Sequence, residues 1–126
     1  MSKVYLAGGF KSKWQNRVIT WHDVIDPSKK DESDMSTKDI GEWDKQAIQN
    51  SDMIFAYMER TNPSGFGLSC ELGYAHALGK TVVLVLEKNH EKHSDRSLEF
   101  LTCFADYVFS DFQSGLNCLN ELPGGM

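Results

Sequence analysis

Apolar residues along this chain fall into short unbroken runs separated by stretches of helical spacing, and that alternation predicts its elements. Residues 4–7, Val-Tyr-Leu-Ala, form an apolar run ending in Gly8-Gly9, which reads as a buried strand followed by a tight turn. Residues 11–19 read as a short helix. Residues 21–25 read as a second strand stopped by Asp26-Pro27. Ser36 opens a clearer helix, because Asp39 and Glu42 follow it and acids suit the positive helix end. Ile40, Trp43, Ala47 and Ile48 then recur at helical spacing as far as Asn50. Residues 53–58 are continuously apolar over a strand length. The loop of residues 62–67, with Pro63 and Gly65, leads into a helix over residues 68–78, and Gly79 stands where a C-terminal cap glycine is expected. Residues 81–86 are all β-branched or apolar and make the plainest strand. Residues 97–104, 107–110 and 112–122 read as helix, short strand and helix.

Strands that are apolar at every position are buried on both faces, which points to a parallel sheet covered by helices. The expected fold is therefore α/β, a three-layer sandwich with about five parallel strands, flavodoxin-like and doubly wound. The whole of residues 1–126 is expected to form a single domain, since the length suits one and there is no internal repeat or low-complexity tract. In such sheets ligands bind beyond the carboxyl ends of the strands, where the strand order reverses. The Gly8-Gly9 turn and the 62–67 loop both follow strands and belong on that edge.

Composition narrows the function. The formal net charge of −5 argues against binding a nucleic-acid polymer, which needs a basic face against phosphates, but not against one small anion held by backbone N–H groups. The three cysteines, Cys70, Cys103 and Cys118, include no CxxC pair, so neither a full disulfide framework nor a zinc spacing is expected. No stretch near the start has the apolar length of a signal peptide, and none anywhere has that of a membrane span. The expected location is cytoplasmic, with no membrane partner.

The densest chemical signal is residues 62–80, Asn-Pro-Ser-Gly-Phe-Gly-Leu-Ser-Cys-Glu-Leu-Gly-Tyr-Ala-His-Ala-Leu-Gly-Lys. It reads as a flexible loop running into a helix whose first turn carries Glu71, where the positive helix end favours the ionised carboxylate. Glu71 has apolar neighbours, lies at the expected ligand edge, and has Gly73 to leave room beside it. A carboxylate so placed is either a nucleophile or a solvated decoration of the turn.

This segment resembles the signature of the nucleoside 2-deoxyribosyltransferase family, in which a Pro-Ser-Gly loop leads to Glu-Leu-Gly-Tyr-Ala and then Gly-Lys. Residues 3–10, Lys-Val-Tyr-Leu-Ala-Gly-Gly-Phe, are similar to that family's opening strand and glycine turn. Residues 44–52, from Asp44 to Asp52, resemble its helix with one acid near the site and a second opening the next strand. The resemblance runs over roughly residues 3–87. It implies cleavage of the N-glycosidic bond of a 2′-deoxynucleoside or its 5′-monophosphate. Glu71 would attack C1′ to form a glycosyl ester, and another base or water would release the sugar. It also implies that Asp44 contacts the sugar hydroxyl or aids proton transfer and that Tyr5 approaches the catalytic carboxylate. Gly8, Gly9, Ser64, Gly65 and Gly67 would surround the substrate, Gly8 and Gly9 by letting backbone come close and Ser64 at the 5′ group. Several relatives place Asp or Ser six residues before the nucleophile, where this chain has Gly65 and carries Ser64 one step earlier. A homo-oligomer, dimer or higher, is implied because relatives often complete the site from a neighbouring subunit. No metal or organic cofactor is implied.

Other chemistry-bearing residues have plainer readings. His76, five positions after Glu71, leaves the helix on another side. His90 and His93 lie in the charged stretch 87–96, read as a solvated loop. His22 lacks companions at metal-ligand spacing, Cys70 is read as packing, and Asp52 as a turn or cap residue. Trp43 belongs to the apolar stripe, whereas Trp14 is either core or a stacking surface for a base. Two rival functions use the same fold: a nucleotide-sensing module without catalysis, and an NAD-cleaving glycosidase.

Overall fold

The computed structural model describes residues 2–123; Met1 and residues 124–126 at the chain end lie outside the described residues. The elements are β1 Lys3–Gly8, β2 Asp23–Ile25, α1 Thr37–Gln49, β3 Met53–Met58, α2 Phe66–Ala77, β4 Thr81–Leu86, α3 Asp95–Glu99, β5 Tyr107–Phe109 and α4 Phe112–Glu121. The five strands form one sheet in the order β2-β1-β3-β4-β5, and every neighbouring pair is parallel. This is the flavodoxin-like order, and its reversal point lies between β1 and β3.

The apolar runs explain this arrangement. All six residues of β3 are buried, and so are the four central residues of β4. Side chains alternate between the two faces with the strand period of two. Ile54, Ala56 and Met58 therefore join the core under α1 and α2, beside Leu72 and Val82. Met53, Phe55 and Tyr57 join the opposite core, under Leu116 and Leu119 of α4. Ser36 caps α1 with a reciprocal box: its hydroxyl accepts from the Asp39 N–H, and the Asp39 carboxylate accepts from the Ser36 N–H, both at 3.1 Å. Asp52 ties the start of β1 to that of β3, its carboxylate accepting from the Lys3 N–H at 2.8 Å.

Four elements described here differ from expectation. The helix expected over residues 11–19 is only a 3-10 turn, Trp14–Arg17, entered through Lys13 in the left-handed region at φ 58°. Trp14 Nε1 and Gln15 Nε2 both donate to the Gly9 carbonyl, at 2.8 and 3.0 Å, and pin the segment to the glycine turn. The Trp14 ring is fully buried against Phe55, Tyr57 and Phe112. One indole thus covers sheet that a longer helix would cover, and it is not free to stack on a base. The helix expected over residues 97–104 starts earlier, because Ser94 caps it by accepting from the Ser97 N–H at 3.1 Å. It then tightens into a 3-10 segment, Phe100–Phe104. The strands expected over residues 21–25 and 107–110 shorten to three residues each as β2 and β5, the two sheet edges, which have a ladder on one side only.

Helix α4 packs close to the sheet through Gly115, where an added Cβ would stand 2.3 Å from Val85 Cγ2 and 3.4 Å from Phe55 Cε1. Val85 is stiff and fully buried, so the helix itself must move. Gly115→Val is expected to destabilise the chain by about 1–3 kcal/mol through overpacking, read as a lower denaturant midpoint with an unchanged m-value.

Candidate active site

The carboxyl ends of β1 and β3 lie side by side, with Gly8 paired to Tyr57. Gly8 has φ 153°, and a Cβ there would fall 2.6 Å from the Tyr57 carbonyl oxygen and 2.9 Å from the Trp14 ring. Only glycine allows this approach. Gly65 is the second such position: it enters α2 at φ 76° and is buried.

Two adjoining cavities open on this edge. One, of about 250 Å³, is rimmed by Gly8, Gly9, Phe10, Asn62, Ser64 and Gly65. The other, of about 530 Å³, is a groove between α1 and α2 that includes Asp44, Cys70, Glu71 and Tyr74. Gly67 lines both. The residues singled out from sequence thus divide in two: Gly8, Gly9, Ser64 and Gly65 on the glycine side, Asp44 and Glu71 on the helical side. Tyr5 joins the second set from below. Its ring is fully buried in β1, and its hydroxyl donates to Glu71 Oε2 at 2.5 Å.

Glu71 differs electrostatically from expectation. Helix α2 starts at Phe66, two residues earlier than the sequence suggests, so Glu71 is in the second turn, where the pull of the helix end has faded. Burial dominates and raises its pKa to about 8; the Tyr5 hydrogen bond works against this rise, the Asp44 charge adds to it, and Lys30 opposes it. The expectation that the helix end favours the ionised carboxylate is corrected on this ground. Tyr5 is pushed far above the ordinary tyrosine range, first by burial and then by the charges of Glu71 and Asp44. It therefore stays protonated and remains a donor.

Several neighbours escaped the sequence reading. Lys30, within a charged loop, reaches Asp44 Oδ1 at 3.1 Å and Glu32 Oε2 at 2.8 Å. His90 is buried rather than solvated: its Nδ1 accepts from the N–H groups of Lys92 and His93, and its ring stacks on His93 at 4.9 Å. His93 Nε2 in turn donates to the Ser64 carbonyl at 3.2 Å, tying the loop after β4 to the glycine loop. Their charged neighbours concealed this local fold. Cys70 is exposed in the groove rather than packed, because it faces the gap between α1 and α2. His22 is buried and structural, bonded to Ser2 Oγ and to the Leu119 carbonyl. Exposed His76 sits edge-on to Phe104 at 5.5 Å, away from Glu71.

Among the described residues, no group of three or more His, Cys, Asp or Glu is placed to hold a metal ion, and no helix is long and apolar enough to cross a membrane. A family model described as "Nucleoside 2-deoxyribosyltransferase like" matches residues 1–89. No curated protein sequence matches the chain. Solved structures share the fold at low identity. A 2-deoxyribosyltransferase from Leishmania mexicana is 20% identical with a TM-score of 0.67, over 96% of this chain and 98% of that one. A CMP N-glycosidase from Clostridium botulinum is 21% identical with a TM-score of 0.60, over 93% and 96%. A conserved protein from Enterococcus faecalis V583 is 22% identical with a TM-score of 0.54, over 95% and 88%.

The raised pKa of Glu71 has a consequence for stability. Between its ordinary 4.5 and about 8, the folded chain holds a proton that the unfolded chain has released, so stability falls as pH rises through that window. Glu71→Gln stays neutral and escapes this loss. It is expected to match the native chain near pH 4 and to exceed it near pH 9, by roughly 2–5 kcal/mol, in denaturant unfolding at the two pH values.

Proposed function

From the premise that this chain belongs to the nucleoside 2-deoxyribosyltransferase-like family, we propose that it cleaves the N-glycosidic bond of a 2′-deoxynucleoside or its 5′-monophosphate through a glycosyl-Glu71 intermediate. The observation that carries this reading is the Tyr5–Glu71 hydrogen bond at the carboxyl edge of β1. Tyr5 donates to Oε2, which fixes the orientation of the carboxyl group and assigns the attack to Oε1. Ionised Glu71 attacks C1′, the C1′–Oε1 bond forms as the C1′–N bond breaks, and the base leaves with the bonding pair. A second base or water then attacks C1′ from the opposite side and returns the carboxylate. Asp44, lining the same groove, suits contact with the sugar hydroxyl or proton transfer.

The glycine-rimmed cavity suits the 5′ end of the substrate. It holds Ser64 and the backbone of Gly8, Gly9 and Gly65, and Gly67 joins it to the nucleophile's groove. Arg17, Arg60 and Arg96 are absent from both linings, so recognition of a 5′-phosphate there falls to backbone N–H groups and hydroxyls. We include the homo-oligomer in the proposal, since the groove between α1 and α2 stands open where a neighbouring subunit can cover it. Elution at the monomer mass with full activity would remove that part.

Incubation with a panel of deoxynucleosides and their monophosphates, with chromatographic detection of free base, tests the reaction. The native chain is expected to release base, with kcat/KM rising through an acid limb near pH 8 as Glu71 ionises. Glu71→Ala is expected to lose at least a thousandfold while keeping its circular dichroism spectrum. Ligand binding without release from any substrate would favour the sensing module instead.

A further inference from the structure

Lys30 has no role in the bond-making steps above, yet few side chains here are held so completely. Its ammonium group has three hydrogens, and three acceptors meet it: the Pro27 carbonyl at 3.3 Å, Glu32 Oε2 at 2.8 Å and Asp44 Oδ1 at 3.1 Å. It lies 4.9 Å from the centre of the Trp43 ring and 5.7 Å from that of Phe10. The side chain is only 6% exposed, although it belongs to a segment of polar residues where most lysines extend into water. Withdrawing an ammonium from water costs several kcal/mol unless every donor is satisfied, and a loop between β2 and α1 needs no such group in order to close. What the arrangement supplies is a fixed positive charge against Asp44 Oδ1.

We propose that Lys30 is a positioning residue: it holds the Asp44 side chain in place beside Glu71, and through it sets the pH range in which Glu71 can attack. The charged and titratable groups around Glu71 are few. Tyr5 faces it from β1, Asp44 from α1 and Lys30 from the loop before α1. Cys70 and Tyr74 line the same groove from α2, Tyr74 with its hydroxyl accepting from Gln49. Lys45, also in the lining, is turned to Glu42 at 3.0 Å. Lys30 is thus the one cation committed to the carboxylate pair among the described residues. Asp44 raises the pKa of Glu71 through its charge and a hydrogen bond, and the Lys30 cation beside Asp44 works against that rise. Glu32 anchors the same ammonium at 2.8 Å.

The inference rests on the proposed reaction for its effect on rate, but not for its physical content, so the test reads both separately. The carboxyl groups of the native chain, Lys30→Met, Lys30→Gln and Lys30→Arg are titrated by carbon-13 NMR without substrate, and kcat/KM for base release is followed against pH. In Lys30→Met the Glu71 proton is expected to leave at least threefold less readily, about half a pH unit higher. The acid limb of kcat/KM should move by the same amount. Lys30→Arg should restore both to near the native values, which a merely structural lysine would not require. Lys30→Gln serves the same purpose if the methionine variant fails to fold. Native-like titration of Glu71 in a folded Lys30→Met or Lys30→Gln chain would overturn the proposal. Absence of base release in the native chain would sink the reaction and leave the NMR titration to decide the role of Lys30.

Discussion

A carboxylate in a half-covered groove needs a reason to keep one orientation, and here the reason is the phenol beneath it. Tyr5 is rooted in the middle of β1, inside the core shared with α1 and α2, so its hydroxyl position is set by the sheet. Glu71 is set by α2, which packs on the same core through Leu68, Leu72 and Ala75. Their hydrogen bond links two rigid elements rather than two loops, which is the placement that the proposed attack by Glu71 requires. Burial makes that bond strong, and the same burial raises the pKa of Glu71.

The remaining architecture places this pair at an open edge. The strand order reverses between β1 and β3, leaving a crevice that no crossover helix fills. Gly8 allows β1 to end against the Tyr57 carbonyl, and Gly65 turns the chain from the loop after β3 into α2. Between them lies a small cavity of backbone and short polar side chains, suited to an anionic or hydroxylic end group, next to a more apolar groove. The pairing of a polar recess with an apolar channel matches a molecule having a sugar or phosphate at one end and a flat base at the other.

Much of the fold was legible because burial on both faces leaves a simple trace. The runs that became β1, β3 and β4 have almost no polar residue within them, and Ser36 with Asp39 announced α1. The stretch after Gly9 misled because its helical pattern is overridden by long-range contacts: Trp14 gains more by filling the core than by continuing a helix. The family was legible in the loop and helix around Glu71, but the electrostatics there were not. The distance from Glu71 to Tyr5 spans 66 positions, and nothing local records it. Lys30 and the His90–His93 stack were hidden for a related reason. Their neighbours are charged, and a charged loop reads as solvated until the partners folded against it are known.

The proposed bond between Glu71 and an anomeric carbon is best examined by trapping the covalent species. A nucleoside bearing fluorine at the sugar 2′ position destabilises the positive charge that develops during breakdown, so a glycosyl ester should accumulate. Mass spectrometry of the digested chain is expected to find one added fluorosugar, on the peptide containing Glu71 and on that residue. Base released in stoichiometric amount with the sugar on another residue would contradict the account.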